Sequence, residues 1–143
     1  MQVYLEPDLP PVPIDSTAIL QVLLNVLTNA IDATPDKGGT VSLQVTVDTE
    51  CENVCISIID NGCGIDEEMR EAVFKAFRST KGQRGTGLGL AVAKKIVLEH
   101  SGTIQLSEVK SGGTKCCISL PLNRNSDPAD THGSPSIVQS NLF

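Results

Sequence analysis

Asn25 and Asn29 stand four residues apart in a stretch with helical apolar spacing and no charged residue between Ser16 and Ile31. Side chains four apart lie on one face of a helix, so the two carboxamides point in the same direction. A solvent-facing stripe would carry Lys and Glu, whereas an amide oxygen is a suitable neutral ligand for Mg²⁺. The pair indicates either a metal-capable stripe or two buried amides that bond to the backbone. The whole polar stripe comprises Gln21, Asn25, Thr28, Asn29 and Asp32.

Asp60 ends an apolar stretch and is followed by Gly62 and Gly64. An ionised carboxylate only accepts hydrogen bonds, so Asp60 can accept one from the exocyclic amine of adenine, whereas guanine presents a carbonyl oxygen there. The glycines let a backbone or a flat ring approach closely. The segment is therefore a candidate base pocket, and the alternative is an ordinary turn.

Three glycines, Gly85, Gly87 and Gly89, lie just before and at the start of a predicted helix. Unpaired backbone N–H groups and the positive end of a helix favour an anionic phosphate at such a place. The spacing matches neither a dinucleotide fingerprint nor a Walker A loop. Lys81 and Arg84 precede the glycines and can supply positive charge to the outer phosphates. The alternative is a solvated linker.

The first half of the chain predicts a helix followed by two strands that would position these groups. The helix begins at Asp15 or Ser16, both good N-cap residues, and ends at Pro35. Residues 40–48 alternate between apolar and polar and predict a half-buried strand, and residues 54–59 predict an antiparallel return. The apolar set of the helix comprises Leu20, Leu23, Leu24, Leu27, Ala30 and Ile31.

The second half predicts further helices and a second pair of strands joined by a turn at Gly112 and Gly113. Together with the first half this gives an α/β fold, with a layer of helices over a largely antiparallel sheet. Residues 1–122 form the predicted domain, and residues 123–143, which are poor in apolar residues, are predicted to be a disordered tail. The remaining predicted elements are short helical turns at 66–77, a mobile loop at 78–87, a helix at 88–100 and strands at 103–109 and 114–120.

Composition limits the classes of function. The chain has 143 residues, which fits one domain, and its net charge of −6 and pI near 4.8 would repel a phosphate backbone. It also has no Trp, so we expect no direct nucleic-acid binding. No apolar run of about 18 residues and no signal core occur, which predicts a cytoplasmic chain, free or as the cytosolic part of a membrane-bound sensor. The five cysteines are scattered without a CxxC pair, so we expect reduced thiols and no zinc site.

Taken in order, five motifs resemble the N, G1, F, G2 and G3 boxes of the GHKL superfamily, and most closely those of the catalytic ATP-binding domain of two-component sensor histidine kinases. The resemblance covers residues 1–122 and implies the Bergerat fold, a two-layer α/β sandwich in which ATP lies between the helices and a mobile lid. The motifs are Asn25-x3-Asn29-Ala30-x-Asp32-Ala33, Asp60-x-Gly62-x-Gly64, Phe74-x2-Phe77 with Ser79-Thr80-Lys81, Gly85-x-Gly87-x-Gly89 and Gly112-Gly113-Thr114.

The resemblance also implies roles for single residues. Asp60 would bind adenine, Asn29 would be the Mg²⁺ ligand, and Asn25 would lie nearer the phosphates. Lys81 and Arg84, with Asn25, would serve the phosphoryl transfer. The other implied nucleotide contacts are Asp32, Gly62, Gly64, Ile65, Phe77, Thr80, Gly85, Thr86, Gly87, Leu88, Gly89 and Thr114.

The residue type at Asn25 distinguishes two branches of this superfamily. Hydrolysing members such as gyrase B, Hsp90 and the MutL proteins carry at this position a Glu that activates water. An amide cannot accept a proton at neutral pH, so the resemblance favours transfer to a protein nucleophile. The open alternatives are an ATP-binding sensor or anti-sigma-like partner-switch module without histidine phosphotransfer, and a GHKL ATPase.

The chain has two histidines, and neither His100 nor His132 begins the His-Glu or His-Asp sequence of an acceptor box. His100 is predicted to end a helix, where the helix dipole favours it. The resemblance therefore implies an acceptor histidine on a separate dimerisation domain and, indirectly, a response regulator as partners. By itself the domain is expected to be a monomer without membrane contact.

Overall fold

The computed structural model describes residues 1–75 and 88–123. Residues 76–87, which include the whole predicted loop at 78–87, and residues 124–143 of the predicted tail lie outside this part of the chain. The described elements are β1 (Gln2–Leu5), α1 (Ser16–Ala33), β2 (Val41–Asp48), β3 (Asn53–Asp60), α2 (Glu67–Ala72), α3 (Gly89–Glu99), β4 (Thr103–Glu108) and β5 (Thr114–Pro121).

The strands form one sheet in the order β1-β2-β3-β5-β4. β1 runs parallel to β2, and the other three pairings are antiparallel. Every second residue of β3 and β5 is buried, as expected for strands with one face against a helix layer. The predicted α/β fold with a mostly antiparallel sheet is therefore confirmed. The largest fully buried side chains of the core are Val22, Ile58, Val97, Ile118 and Leu120.

α1 begins at its N-cap Asp15, whose carboxylate accepts hydrogen bonds from the N–H groups of Thr17 and Ala18, as predicted for a helix start here. By length and mean hydropathy (1.2), α1 alone among the described helices could also span a membrane, a test that core helices pass as well.

The buried face of α1 differs from the predicted apolar set. The helix buries Ile19, Val22, Val26 and Ala30 against the sheet. Leu20, Leu24 and Ile31 from the predicted set are 55%, 56% and 54% exposed. α1 carries apolar residues on two adjacent sides, and helical spacing alone does not say which side the sheet covers. The predicted apolar residues of α1 therefore match the buried face of the helix only in part.

β1 was not predicted from the sequence. It is a four-residue edge strand, too short for an alternating pattern, and it pairs with β2 some forty residues later, with Gln2 opposite Ser42. Glu6, just after β1, accepts a hydrogen bond from the N–H of Val47 at 2.6 Å and so holds the edge to its neighbour.

His100 ends α3, as predicted, and also connects it to the start of α1. Its Nε2 accepts a hydrogen bond from the N–H of Asp15 at 3.1 Å, which leaves the proton on Nδ1 to be donated to the carbonyl of Ile96 at 2.8 Å. The two core helices therefore share one side chain at the end of the domain away from Asp60.

His100→Ala is expected to lower the free energy of unfolding by about 1–2 kcal/mol, because Asp15 N–H and the Ile96 carbonyl both lose their partner. Urea denaturation followed by circular dichroism measures this change. Lys95→Ala on the same helix removes only an exposed pair with Glu99 and serves as the control. Equal losses in the two variants would contradict a specific role for His100.

Candidate functional site

Asp60 ends β3 as a carboxylate that is only 6% exposed. Its Oδ1 accepts two backbone hydrogen bonds, from Gly62 N–H at 2.8 Å and from Thr114 N–H at 3.1 Å. Both hydrogen bonds recorded among the described residues end on Oδ1, so Oδ2 keeps its capacity to accept. A buried carboxylate held in one orientation can recognise a donor group on a ligand.

Glycines at two turns allow the backbone to close around Asp60. A Cβ on Gly62 would collide with the carbonyl oxygen of Ala33 at the end of α1, and one on Gly113 would overlap the carbonyl oxygen of Asp60. Gly113 also has φ +98°, a conformation that favours glycine. The sequence predicted a hairpin turn at Gly113, and the structure shows that this turn also packs on Asp60.

Asn61 fixes the loop after α1 and was missed by the sequence analysis. Its Oδ1 accepts a hydrogen bond from Thr40 N–H at 2.7 Å, and its Nδ2 donates to the carbonyl of Gly38 at 2.9 Å. Its position between Asp60 and Gly62 gave a turn signal only, because its partners lie about twenty residues away.

Asn25 connects α1 to the start of α3. Its Nδ2 donates to the carbonyl of Gly89 at 3.0 Å, and a Cβ on Gly89 would lie 3.7 Å from the Asn25 side chain. Leu88, the N-cap residue of α3, makes no side-chain hydrogen bond to the helix. The first N–H groups of α3 therefore have no capping side chain from Leu88 and can bind an anion.

The amides of α1 fit a Mg²⁺ ion by their chemistry. Asn25 uses its Nδ2 for the hydrogen bond to Gly89, and its Oδ1 is a neutral oxygen of the kind that can ligate a metal ion. Asn29 lies one turn later, is half-buried and makes an interaction of its own within the protein, as does Asp32. Mg²⁺ takes few ligands from a protein and completes its shell with water and phosphate oxygens, so this donor set suits it.

Residues 14–124 match the family model described as "Histidine kinase-, DNA gyrase B-, and HSP90-like ATPase". The chain belongs to this ATPase family. It is 37% identical over 127 residues to sporulation kinase E of Bacillus subtilis (strain 168), and 37% identical over 119 residues to the signal transduction histidine-protein kinase AtoS of Escherichia coli (strain K12). These alignments cover 89% and 83% of the chain. The chain spans only 17% and 19% of the length of the two relatives.

Solved structures in this ATPase family share the fold. The catalytic domain of the histidine kinase ThkA superposes with a TM-score of 0.75 and 32% identity, over 85% of this chain and 77% of that one. The mycobacterial sensor histidine kinase MprB gives a TM-score of 0.74 and 32% identity, over 84% and 79%. The predicted resemblance to the catalytic ATP-binding domain of sensor histidine kinases is confirmed.

The remaining predicted site residues of this ATPase domain fall into two groups. Among the described ones, Ile65 is half-buried just after Gly64, and Phe74 is buried with the ammonium of Lys94 4.8 Å from its ring centroid. Leu88 is 36% exposed at the start of α3. The residues of the predicted lid lie outside the described part of the chain and stay predictions: Phe77, Thr80, Lys81, Arg84, Gly85, Thr86 and Gly87.

All five cysteines of the domain are free, as expected. Burial raises the pKa of Cys116, which lies in the core on β5 opposite Ile58, to about 12, so its thiol stays protonated and packs as an apolar side chain.

Proposed function

We propose that this domain binds Mg²⁺-ATP and donates the γ-phosphate to a histidine on a separate dimerisation and phosphoacceptor domain. The observation that carries the proposal is the pairing of a buried Asp60, with one free carboxylate oxygen, and an α1 that presents amides at its polar stripe. The carboxylate of Asp60 is suited to binding adenine. The amides of α1 favour transfer of the phosphoryl group over hydrolysis of ATP.

Asp60 would select the base. Its Oδ2 accepts a hydrogen bond from the exocyclic amine of adenine, while the N–H groups of Gly62 and Thr114 hold Oδ1 in place. Guanine would bring a carbonyl oxygen to the same carboxylate, and two acceptors in a buried site cannot satisfy each other. The missing side chains at Gly62 and Gly113 let the backbone pack closely around the carboxylate and hold it in this orientation.

The start of α3 would hold the phosphates. Asn25 fixes this helix end through the carbonyl of Gly89 and keeps the first N–H groups aimed at an anion. Mg²⁺ bound through Asn29 would neutralise charge on the phosphate oxygens. Lys81 and Arg84 would add positive charge from the lid. These groups position the γ-phosphate and stabilise its charge, which is most of what phosphoryl transfer needs.

Asn25 supports transfer over hydrolysis because a carboxamide cannot take a proton from water at neutral pH. Two solved kinases support the ligand and the partner. A full-length ShkA structure holds AMPPNP, with 26% identity and a TM-score of 0.73, and ThkA has been solved with the response regulator protein TrrA, with 27% identity and a TM-score of 0.71. We extend both to this chain as proposals, together with a cytosolic location.

The test supplies γ-labelled ATP and Mg²⁺ to the purified chain together with a separately purified dimerisation domain that carries an acceptor histidine. The expected result is an acid-labile, base-stable label on that domain, and none on its His→Gln control. Free phosphate is measured in the same reactions.

Two other outcomes of this experiment would favour competing functions. Tight ATP binding with no label on any acceptor tested would favour an ATP-binding sensor or partner-switch module. Steady release of phosphate in the absence of an acceptor would favour an ATPase, despite the amide at Asn25.

A further inference from the structure

Asn61 makes three hydrogen bonds from the end of β3 to the loop that follows α1. Its Oδ1 accepts from Thr40 N–H at 2.7 Å, its Nδ2 donates to the carbonyl of Gly38 at 2.9 Å, and its own N–H donates to the carbonyl of Thr40 at 3.2 Å. The backbone bond continues the pairing of β2 with β3, whereas the two side-chain bonds are an addition to the strand ladder. We call these three bonds the Asn61 clamp.

The clamped loop folds back on the end of α1. A Cβ on Gly39 would lie 2.5 Å from the carbonyl oxygen of Pro35 and 2.9 Å from the side chain of Thr34, so only glycine lets the loop fold this closely. Thr34 is the C-cap residue of α1, and its hydroxyl donates to the carbonyl of Ile31 at 2.6 Å. Contacts therefore run without a gap from Asn61 through the loop to the last turn of α1.

The last turn of α1 depends on these contacts because the core holds it weakly. Ala30 is the last buried residue of the helix, at 5% exposed, whereas Ile31 is 54% exposed and Asp32 is also exposed. In a regular α-helix the carbonyl of Asn29 bonds to the N–H four positions later, which here belongs to Ala33, the last helical residue. A loose last turn would therefore let the residue proposed to bind Mg²⁺ move.

Asp60, by contrast, is held by contacts of its own. The N–H groups of Gly62 and Thr114 bind its Oδ1, and its pairing with Val41 belongs to the strand ladder. Loss of the Asn61 side chain removes none of these contacts. The clamp therefore sets where the end of α1 lies relative to the carboxylate, and not the orientation of the carboxylate itself.

We propose that Asn61 is a positioning residue, which holds the end of α1 at a fixed place relative to the turn at Asp60 so that one ligand reaches the base pocket and the Mg²⁺-binding amide together. This inference rests on the function proposed above, in which ATP contacts both places. A fixed distance between them spares the ligand the cost of ordering them on binding. Asn61 is exposed, so water can replace its partners, and its loss should affect stability less than it affects the site.

The test measures the affinity of the full chain for ATP by calorimetry, with and without Mg²⁺. Asn61→Ala removes both side-chain bonds of the clamp. Asn61→Asp keeps the bond from Thr40 but sets a carboxylate oxygen against the carbonyl of Gly38, and it replaces Asn61→Ala if melting curves show that the alanine variant does not fold. His100→Ala is the matched control, because it also loses two hydrogen bonds to backbone groups, at the end of the domain away from Asp60.

A second measurement needs no nucleotide. Amide hydrogen exchange at residues 31–40, followed by mass spectrometry, reports on the last turn of α1 and the clamped loop. Exchange in this segment is expected to be faster in Asn61→Ala than in the unchanged protein, and to be unaffected in His100→Ala. Equal exchange in the two variants would contradict the clamp.

In Asn61→Ala we expect the gain in ATP affinity from Mg²⁺ to fall from at least about tenfold to less than about threefold, while the affinity without Mg²⁺ changes by less than about threefold. His100→Ala should keep the full gain. A full gain in Asn61→Ala, or an equal loss in His100→Ala, would overturn the role of Asn61 and leave the proposed function standing. An unchanged protein that gains nothing from Mg²⁺ would instead overturn the proposed function and this inference with it.

Discussion

Asp60→Asn is expected to weaken ATP binding by roughly 10- to 100-fold while the melting temperature stays close to that of the unchanged protein. The amide oxygen can still accept the N–H groups of Gly62 and Thr114, so the turn keeps its hydrogen bonds. At the Oδ2 position, however, an NH₂ group now faces the adenine amine, and two donors meet. Losing a hydrogen bond to a charged group costs about 1.5–3 kcal/mol, which corresponds to that range of affinity.

Calorimetric titration with ATP and with inosine triphosphate makes this test specific. Inosine triphosphate carries a carbonyl oxygen in place of the amine, so the variant should bind it better, relative to ATP, than the unchanged protein does. Asp66→Asn is the matched control, since Asp66 is an exposed carboxylate six positions away that makes no capping hydrogen bond. Unchanged ATP affinity in Asp60→Asn would remove the adenine assignment.

Asn29→Ala is expected to abolish the dependence of ATP binding on Mg²⁺. Titrations with and without Mg²⁺ should differ by at least about tenfold in affinity for the unchanged protein and be equal for the variant, because the protein ligand for the ion is gone. Alanine is the best helix former, so α1 should stay intact.

Thr28→Ala, the neighbouring and exposed position on the same helix, is the control and should keep the full effect of Mg²⁺. Persistence of the Mg²⁺ effect in Asn29→Ala would place the ion on other groups. That outcome would leave the adenine assignment intact, because the two titrations with Asp60→Asn do not depend on the metal.

Local patterns in the sequence were enough to predict most elements and the position of Asp60. The alternation in residues 40–48 and 54–59 identified β2 and β3, and a carboxylate directly before an Asn-Gly turn had to lie at the end of a buried strand. The cap at Asp15 likewise gave the start of α1. Each of these signals depends on residues close in sequence, because the spacing of apolar residues along a short segment indicates whether it is a helix or a strand.

Contacts between distant residues were not predictable in the same way. The hydrogen bond from Thr114 to Asp60 joins residues 54 positions apart, and Gly113 alone suggested only a turn. The buried face of α1 was partly misidentified because Leu24 and Val22 have the same apolar character, and only the sheet distinguishes their environments. The roles of Lys81 and Arg84 follow from their charge and their place just before the glycines, and they stay predictions because both lie outside the described residues.

The strand order has a consequence for how the domain folds during its synthesis on the ribosome. β5 is the last of the described strands but pairs with β3 in the middle of the sheet, and its first residue supplies an N–H to Asp60. While residues 114–121 are still inside the ribosome, one edge of β3 is unpaired. Asp60 then also lacks the hydrogen bond from Thr114, one of the two that hold its carboxylate. Nucleotide affinity should thus arise late and in one step, so that ATP stabilises finished domains and gives nothing to truncated ones.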